Sequence, residues 1–198
     1  MLPQITIRPA VPEDAPALLA IYAPYVSQTA ISLEYDVPSC AEFTERIRSI
    51  TAHYPYLVAE QNGTAIGYAY AAPFHPRMGF HWDVELSIYL SLDFQRHHLG
   101  TRLYQTLLAL LRHQNIVTAY ACVTAPGSSI AFHESIGFQR VGLFPRSGWK
   151  SGSWHDIVWL EYPLRQRVTE PEPLISFPDL PAELVQELLS TPISINLE

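Results

Sequence analysis

The sequence predicts a mixed α/β fold, and three observations carry that expectation. Residues Asp83-Val84-Glu85-Leu86-Ser87-Ile88-Tyr89-Leu90 alternate strictly, with Val84, Leu86, Ile88 and Leu90 on one side, the period of a half-buried strand. Next comes a helix expected over about His98 to Gln114, because Leu99, Leu103, Leu107 and Leu111 fall four apart with Tyr104 and Leu108 beside them. Finally, the segments run strand, two helices, three strands, helix, strand, helix, strand, strand, which is not the regular alternation of a doubly wound parallel sheet. At 198 residues and 48% apolar composition the chain is long enough to close one ordinary core.

Taken in order, Ile5 to Arg8 reads as a short first strand, and Pro12-Glu13-Asp14 opens a helix with carboxylates at the positive end of its dipole. Leu18, Leu19, Tyr22 and Val26 mark its buried side. Ser39 begins a second helix, with Glu42 placed for a capping box and Phe43, Ile47 and Ile50 along one face. Tyr56–Glu60 and Ala65–Ala72 are apolar and aromatic around Gln61-Asn62-Gly63, a hairpin signature. After the strand and helix above, Val117–Val123 reads as a buried strand and Ser128–Ile136 as a short helix. Gly137 stands where a left-handed cap wants glycine, and Phe138–Leu143 with Asp156–Tyr162 supply the last strands.

Composition changes beyond Pro163: residues 163–198 hold 6 of the 17 prolines, and 6 acids against 2 arginines. Residues 1–163 are therefore the expected domain, and 164–198 a Pro-rich acidic tail with a short helix at about 181–189. The formal charge of −7 would repel a phosphate backbone, so no nucleic-acid partner is expected. No stretch approaches the length of a membrane span, the first residues lack a signal-peptide pattern, and a cytoplasmic setting without membrane contact is expected. Cys40 and Cys122 are read as small buried hydrophobes. None of the eight histidines has paired metal-ligand spacing, so no metal is expected.

The stretch joining the most regular strand to the most regular helix is Phe94-Gln95-Arg96-His97-His98-Leu99-Gly100-Thr101. A turn there aims free backbone N–H groups and a helix N-terminus at one spot, as a pyrophosphate requires, although a plain polar loop would have the same composition. It is neither a GxGxxG fingerprint nor a Walker loop.

Gln95-Arg96-His97-His98-Leu99-Gly100 resembles the coenzyme A loop of the GCN5-related N-acetyltransferases (GNAT), Gln/Arg-x-x-Gly-x-Gly/Ala, with His98 in place of the middle glycine. Six further segments in register resemble the phosphinothricin and methionine-sulfoximine branch of that superfamily over about residues 4–163. They are Ile7–Ala10, Tyr22–Val26, Tyr56–Glu60, Gly67–Ala71, Phe132–Phe138 and Gly148-Trp149-Lys150-Ser151-Gly152-Ser153-Trp154-His155-Asp156. The resemblance implies the GNAT fold, a central mixed twisted sheet flanked by about four helices, with acetyl-CoA as co-substrate. Glu85 would be the base and His133 a partner near the thioester. Main-chain groups of Leu86, Ser87 and Ile88 would pair with pantetheine, and Gln95, Arg96, His97, His98, Leu99, Gly100 and Thr101 would hold the pyrophosphate. Glu34, Phe74, Arg77, Phe80 and Trp82 would surround the acceptor, with the Arg77 fork on its carboxylate. His155 and Asp156 are read as a structural pair.

The expected activity is transfer of an acetyl group from acetyl-CoA to the α-amine of a small amino acid or amino-acid analogue. A polyamine, aminoglycoside or protein terminus as acceptor is the same-fold alternative, and a non-catalytic acyl-CoA or amino-acid sensor the alternative from another class. Relatives are commonly dimers, so a homodimer is expected.

Overall fold

The computed structural model describes residues 5–94 and 98–190. Seven strands form one sheet in the order β1-β2-β3-β4-β5-β7-β6, comprising β1 (Ile5–Pro9), β2 (Tyr56–Gln61), β3 (Thr64–Pro73), β4 (Asp83–Leu90), β5 (Thr118–Ala125), β6 (Gln139–Lys150) and β7 (Ser153–Pro163). The helices are α1 (Ala15–Gln28), α2 (Cys40–Thr51), α3 (Leu99–His113), α4 (Ser128–Ile136) and α5 (Ala182–Ser190). Among the described residues β4–β5 is the parallel pair, and the other neighbours are antiparallel. The mixed α/β expectation is met.

Local chemistry explains the element ends. The Ser39 hydroxyl accepts the Glu42 amide at 3.2 Å while the Glu42 carboxylate accepts the Ser39 amide at 2.7 Å, the expected capping box at the start of α2. Asn62 and Gly63 at φ 53° and 77° turn β2 into β3, and Gly137 at φ 113° ends α4. Asp14 does not simply face a helix dipole: its carboxylate takes both arms of Arg8 at 2.7 Å and the Val11 amide at 2.8 Å. That arrangement ties the end of β1 to the 3-10 turn leading into α1.

The sheet carries a core on each face. Leu99, Leu103, Leu107, Leu110 and Leu111 of α3 pack on Leu57, Ala69, Ala71, Val84 and Leu86, all buried. On the other face α1 and α2 bury Leu18, Val26, Phe43 and Ile47 against Tyr56, Val58 and Tyr68. The strict alternation of β4 divides it between these two cores, Val84 and Leu86 facing α3.

Two expectations change. The last hairpin is longer than Phe138–Leu143 with Asp156–Tyr162, because pairing resumes across the irregularity between Phe144 and Gly148 and continues to Lys150↔Ser153. Neither cysteine is buried: Cys40 lies at the exposed start of α2 and Cys122 on the open side of β5. Residues 164–190 fold back on the sheet, with Leu164, Phe177 and Leu180 buried in the α3-side core. The helix expected at 181–189 is α5, and its partly buried Val185, Leu188 and Leu189 pack on that core. Among the described residues no helix is long and apolar enough to cross a membrane.

Candidate active site

β4 and β5 pair only from Asp83↔Thr118 to Glu85↔Tyr120. Beyond Glu85 the strands part, while β4 stays bonded to β3 as far as Gly67↔Leu90 and β5 to β7 as far as Ala125↔Asp156. The edges of Leu86, Ser87 and Ile88 that face β5 therefore have no strand partner, and an extended amide-bearing ligand could complete them as an added strand. At the wide end of this wedge α3 begins. His98, its N-cap, lies in the left-handed region at φ 56° and offers no side-chain cap to the helix amides. The histidine thus adopts the conformation a glycine at that loop position would supply without strain. Gly100 lies inside the first turn of α3, where an added Cβ would sit 3.1 Å from the Phe132 ring. Of the pyrophosphate-loop expectation, His98, Leu99, Gly100 and Thr101 lie at this helix start, whereas Gln95, Arg96 and His97 lie outside the described residues.

Glu85 stands where the wedge opens. It points away from the aliphatic core, half-buried, and burial raises its carboxyl above the ordinary carboxylate range. Two residues along β4 and across to β3, Ser87 is the register partner of Tyr70, whose phenol burial pushes up in pKa. Tyr22, Tyr56, Tyr68, Tyr70 and Tyr89, with Phe43 and Arg46, line a recess of about 100 Å³ on this face. Sequence reasoning placed no ligand there, although Tyr68-x-Tyr70 on one strand, Tyr56 on the next and Tyr89 on β4 carry the period-two signal. On the other flank of Glu85 the Tyr120 ring stacks on Phe74 at 4.5 Å between centroids. Phe74 meets Trp159 at 5.5 Å and Phe80 at 5.9 Å. Cys122, farther along β5, has its thiol pushed up to about 12 by desolvation and by the Glu85 charge, which makes it a poor nucleophile at neutral pH.

The expected acceptor residues divide. Phe74 and Phe80 join the aromatic wall, and Arg77 is exposed on the same β3–β4 loop, its amide donating to His75 Nδ1 at 3.1 Å. Trp82 is turned to another partner: its indole N–H donates to the Glu172 carbonyl of the returning tail at 2.8 Å, so it anchors the loop rather than forming that wall. Glu34 is ion-paired at 2.7 Å with Arg46, which lines the tyrosine recess.

His133 sits on the α3–α4 side, 3% exposed, boxed by Tyr104, Phe132 and Phe138. Its Nδ1 lies 2.6 Å from the Ser129 carbonyl, which can only accept, so Nδ1 carries the proton and Nε2 accepts from the Tyr104 hydroxyl at 3.1 Å. Burial lowers its pKa, and both ring nitrogens are engaged. His155 and Asp156 do not pair with each other. His155 Nε2 lies near the Ser153 hydroxyl and the Lys150 carbonyl, both at 3.2 Å, while Asp156 accepts the Arg146 amide at 2.7 Å. No group of three or more metal-ligating side chains occurs among the described residues.

The chain is similar to known proteins in sequence and in fold. The acetyltransferase (GNAT) domain family matches residues 7–159. A phosphinothricin N-acetyltransferase of Streptomyces viridochromogenes is 32% identical over 154 residues, 77% of this chain and 84% of that one. An L-methionine sulfoximine/L-methionine sulfone acetyltransferase of Pseudomonas aeruginosa is 35% identical over 162 residues, 79% of this chain and 92% of that one. Among solved structures, a GNAT superfamily phosphinothricin acetyltransferase from Sinorhizobium meliloti in complex with acetyl-CoA superposes with a TM-score of 0.80 at 32% identity. The match covers 87% of this chain and 98% of that chain.

Proposed function

Because the chain belongs to the GNAT acetyltransferase family, we propose that it transfers the acetyl group of acetyl-CoA directly to the α-amine of a small amino acid or amino-acid analogue, with Glu85 as the base. One observation carries this reading most: a half-buried carboxylate with a raised pKa stands where the β4–β5 wedge opens, between an aromatic wall and a tyrosine recess. Relatives named for phosphinothricin and methionine sulfoximine support the acceptor class.

Acetyl-CoA supplies a thioester carbonyl. Leu86, Ser87 and Ile88 hold the pantetheine along the open edge of β4, and the α3 amides after His98 face the pyrophosphate. Phe74 and Phe80 flank the acceptor and Arg77 takes its carboxylate. Glu85 accepts a proton from the acceptor's ammonium, directly or through one water, and the freed amine lone pair attacks the carbonyl carbon. The C–N bond forms, the C–S bond breaks, CoA leaves as a thiolate that takes up the second proton shed by the acetylated nitrogen, and Glu85 returns its proton to solvent. His133 enters as a positioning residue, since its ring holds Tyr104 and Ser129 in place and has no spare proton to give at its engaged nitrogens.

In the same reading the enzyme works in the cytoplasm as a homodimer. β6 is the sheet edge that bears exposed Val141, Leu143 and Phe144, a strip suited to a second copy.

The test is acceptor-dependent thiol release from acetyl-CoA, with calorimetric acetyl-CoA binding on the same sample. Turnover with methionine sulfoximine, methionine sulfone, phosphinothricin or a proteinogenic amino acid is expected. Acetyl-CoA binding without turnover on any of them would contradict the reading and favour a sensor.

A further inference from the structure

The chain's single lysine, Lys150, is 5% exposed at the end of β6. Buried lysines are rare because a desolvated ammonium is costly unless its donors are met. Here all three are met, and by one segment: Nζ donates to the carbonyls of Val26 at 2.6 Å, Ser32 at 2.7 Å and Glu34 at 2.5 Å. Val26 is near the end of α1, and Ser32 and Glu34 lie in the irregular stretch 29–38 that joins α1 to α2.

Neighbouring residues reinforce the same docking. The Tyr35 hydroxyl donates to the Trp149 carbonyl at 2.7 Å. Gly148 leaves room for Leu33, whose Cδ1 would lie 3.0 Å from any Cβ placed there. The β6–β7 turn is made by Ser151 and Gly152 at φ 51° and 79°, which sets Lys150 at the last paired position. From the docked segment Ser32 bonds the Tyr22 hydroxyl at 2.7 Å and Glu34 ion-pairs with Arg46 at 2.7 Å, and both Tyr22 and Arg46 line the tyrosine recess. A Gly-Trp-Lys sequence on the β6–β7 hairpin thus holds a segment with no regular structure of its own against Tyr22 and Arg46, two residues that line the recess.

We propose that Lys150 is a positioning residue that clamps residues 29–38 over the acceptor, so that it governs acceptor affinity and leaves acetyl-CoA binding alone. This inference rests on the acceptor reading above. Three convergent carbonyls suit an ammonium and not the planar fork of arginine, so Lys150→Arg is a meaningful contrast as well as Lys150→Met.

The experiment compares wild type with Lys150→Met, Lys150→Arg and Tyr35→Phe, measuring acceptor KM and kcat, the acetyl-CoA Kd, and hydrogen exchange over residues 29–38. Tyr35→Phe deletes one exposed bond and keeps the fold, so it carries the test if Lys150→Met, which orphans three carbonyls, does not fold. The expected result is an acceptor KM raised about tenfold in Lys150→Met, which loses three hydrogen bonds, and about two- to threefold in Tyr35→Phe, which loses one. Acetyl-CoA Kd stays within about twofold of wild type, and exchange over 29–38 rises while α3 stays protected. Turnover with unchanged acceptor KM in folded variants overturns this role alone, as does an acetyl-CoA Kd that rises in parallel. Unchanged exchange overturns the clamp itself. Absence of wild-type turnover on every acceptor removes the acceptor reading and this role with it, and the exchange result still decides whether the clamp exists.

Discussion

The two faces of the sheet are built from different chemistry. Under the middle of α3 the core is aliphatic, with Leu103, Leu107, Leu110 and Leu111 completely buried on Leu57, Ala69 and Val84. Under α1 and α2 the sheet presents tyrosines: Tyr56, Tyr68 and Tyr70 stack at centroid distances of 4.8 to 6.4 Å, with Tyr22 and Tyr89 edge to face at 4.7 Å. Glu85 points into the second environment, and the alternation of β4 puts Val84 and Leu86 into the first. A leucine face contributes stability through area and close packing, whereas phenols combine ring area with hydroxyls that need partners. The tyrosine recess lies on the second face, lined by phenols and by Arg46.

That contrast can be broken from either side. The largest effect is expected for Glu85→Gln, which should lower kcat about 10²- to 10⁴-fold while leaving acetyl-CoA binding intact, measured by thiol release and calorimetry. The same change should raise Tm. Burial raises the folded pKa of Glu85 above its unfolded value, so the unfolded chain loses this proton first and stability falls as pH rises through that window. A glutamine side chain at this position has no such proton to lose, and the gain in Tm should be present at pH 7 and vanish toward pH 4.

On the aliphatic face Leu107→Ala should cost about 2–5 kcal/mol in urea denaturation while the KM for both substrates is retained below the lowered Tm. Tyr70→Phe is the converse: under about 1 kcal/mol in stability, with acceptor KM raised about threefold or more, because it removes the phenol beside Ser87. The smallest effect should come from His98→Gly, a gain of up to about 1 kcal/mol from relief of the left-handed backbone, read as a shift in the urea midpoint.

Segments whose fate is decided by local pattern were legible in the sequence. The alternation of Asp83–Leu90, the leucine spacing of α3, the Ser39/Glu42 box and Gly137 after α4 all fix structure within a few residues of themselves. Glu85 at the opening of the wedge follows the family resemblance and the period-two pattern together. What local pattern does not hold is long-range docking. The strand expected to end at Leu143 continues, because pairing with β7 resumes after an irregularity and runs to Lys150. The tail's composition leaves its placement open, yet Gln114 binds the carbonyls of His53 and Ile175, both at 2.8 Å, and Asn115 that of Pro173 at 2.8 Å, pinning it down. A lysine in Gly-Trp-Lys looks solvated until α1 and its following segment are packed against it. Trp82 resembled a pocket wall because its anchor, Glu172, lies 90 positions away in the chain.

In this reading Glu85, its pKa raised by burial, is the base for acetyl transfer. The most direct test of that role is the pH dependence of kcat/KM for wild type with two acceptors whose amine pKa values differ. An acid limb is expected, with activity lost as pH falls through a midpoint above the ordinary carboxylate range, at the same pH for both acceptors and missing from Glu85→Gln. A limb that moves with the acceptor's amine pKa, or that persists unchanged in Glu85→Gln, would contradict it.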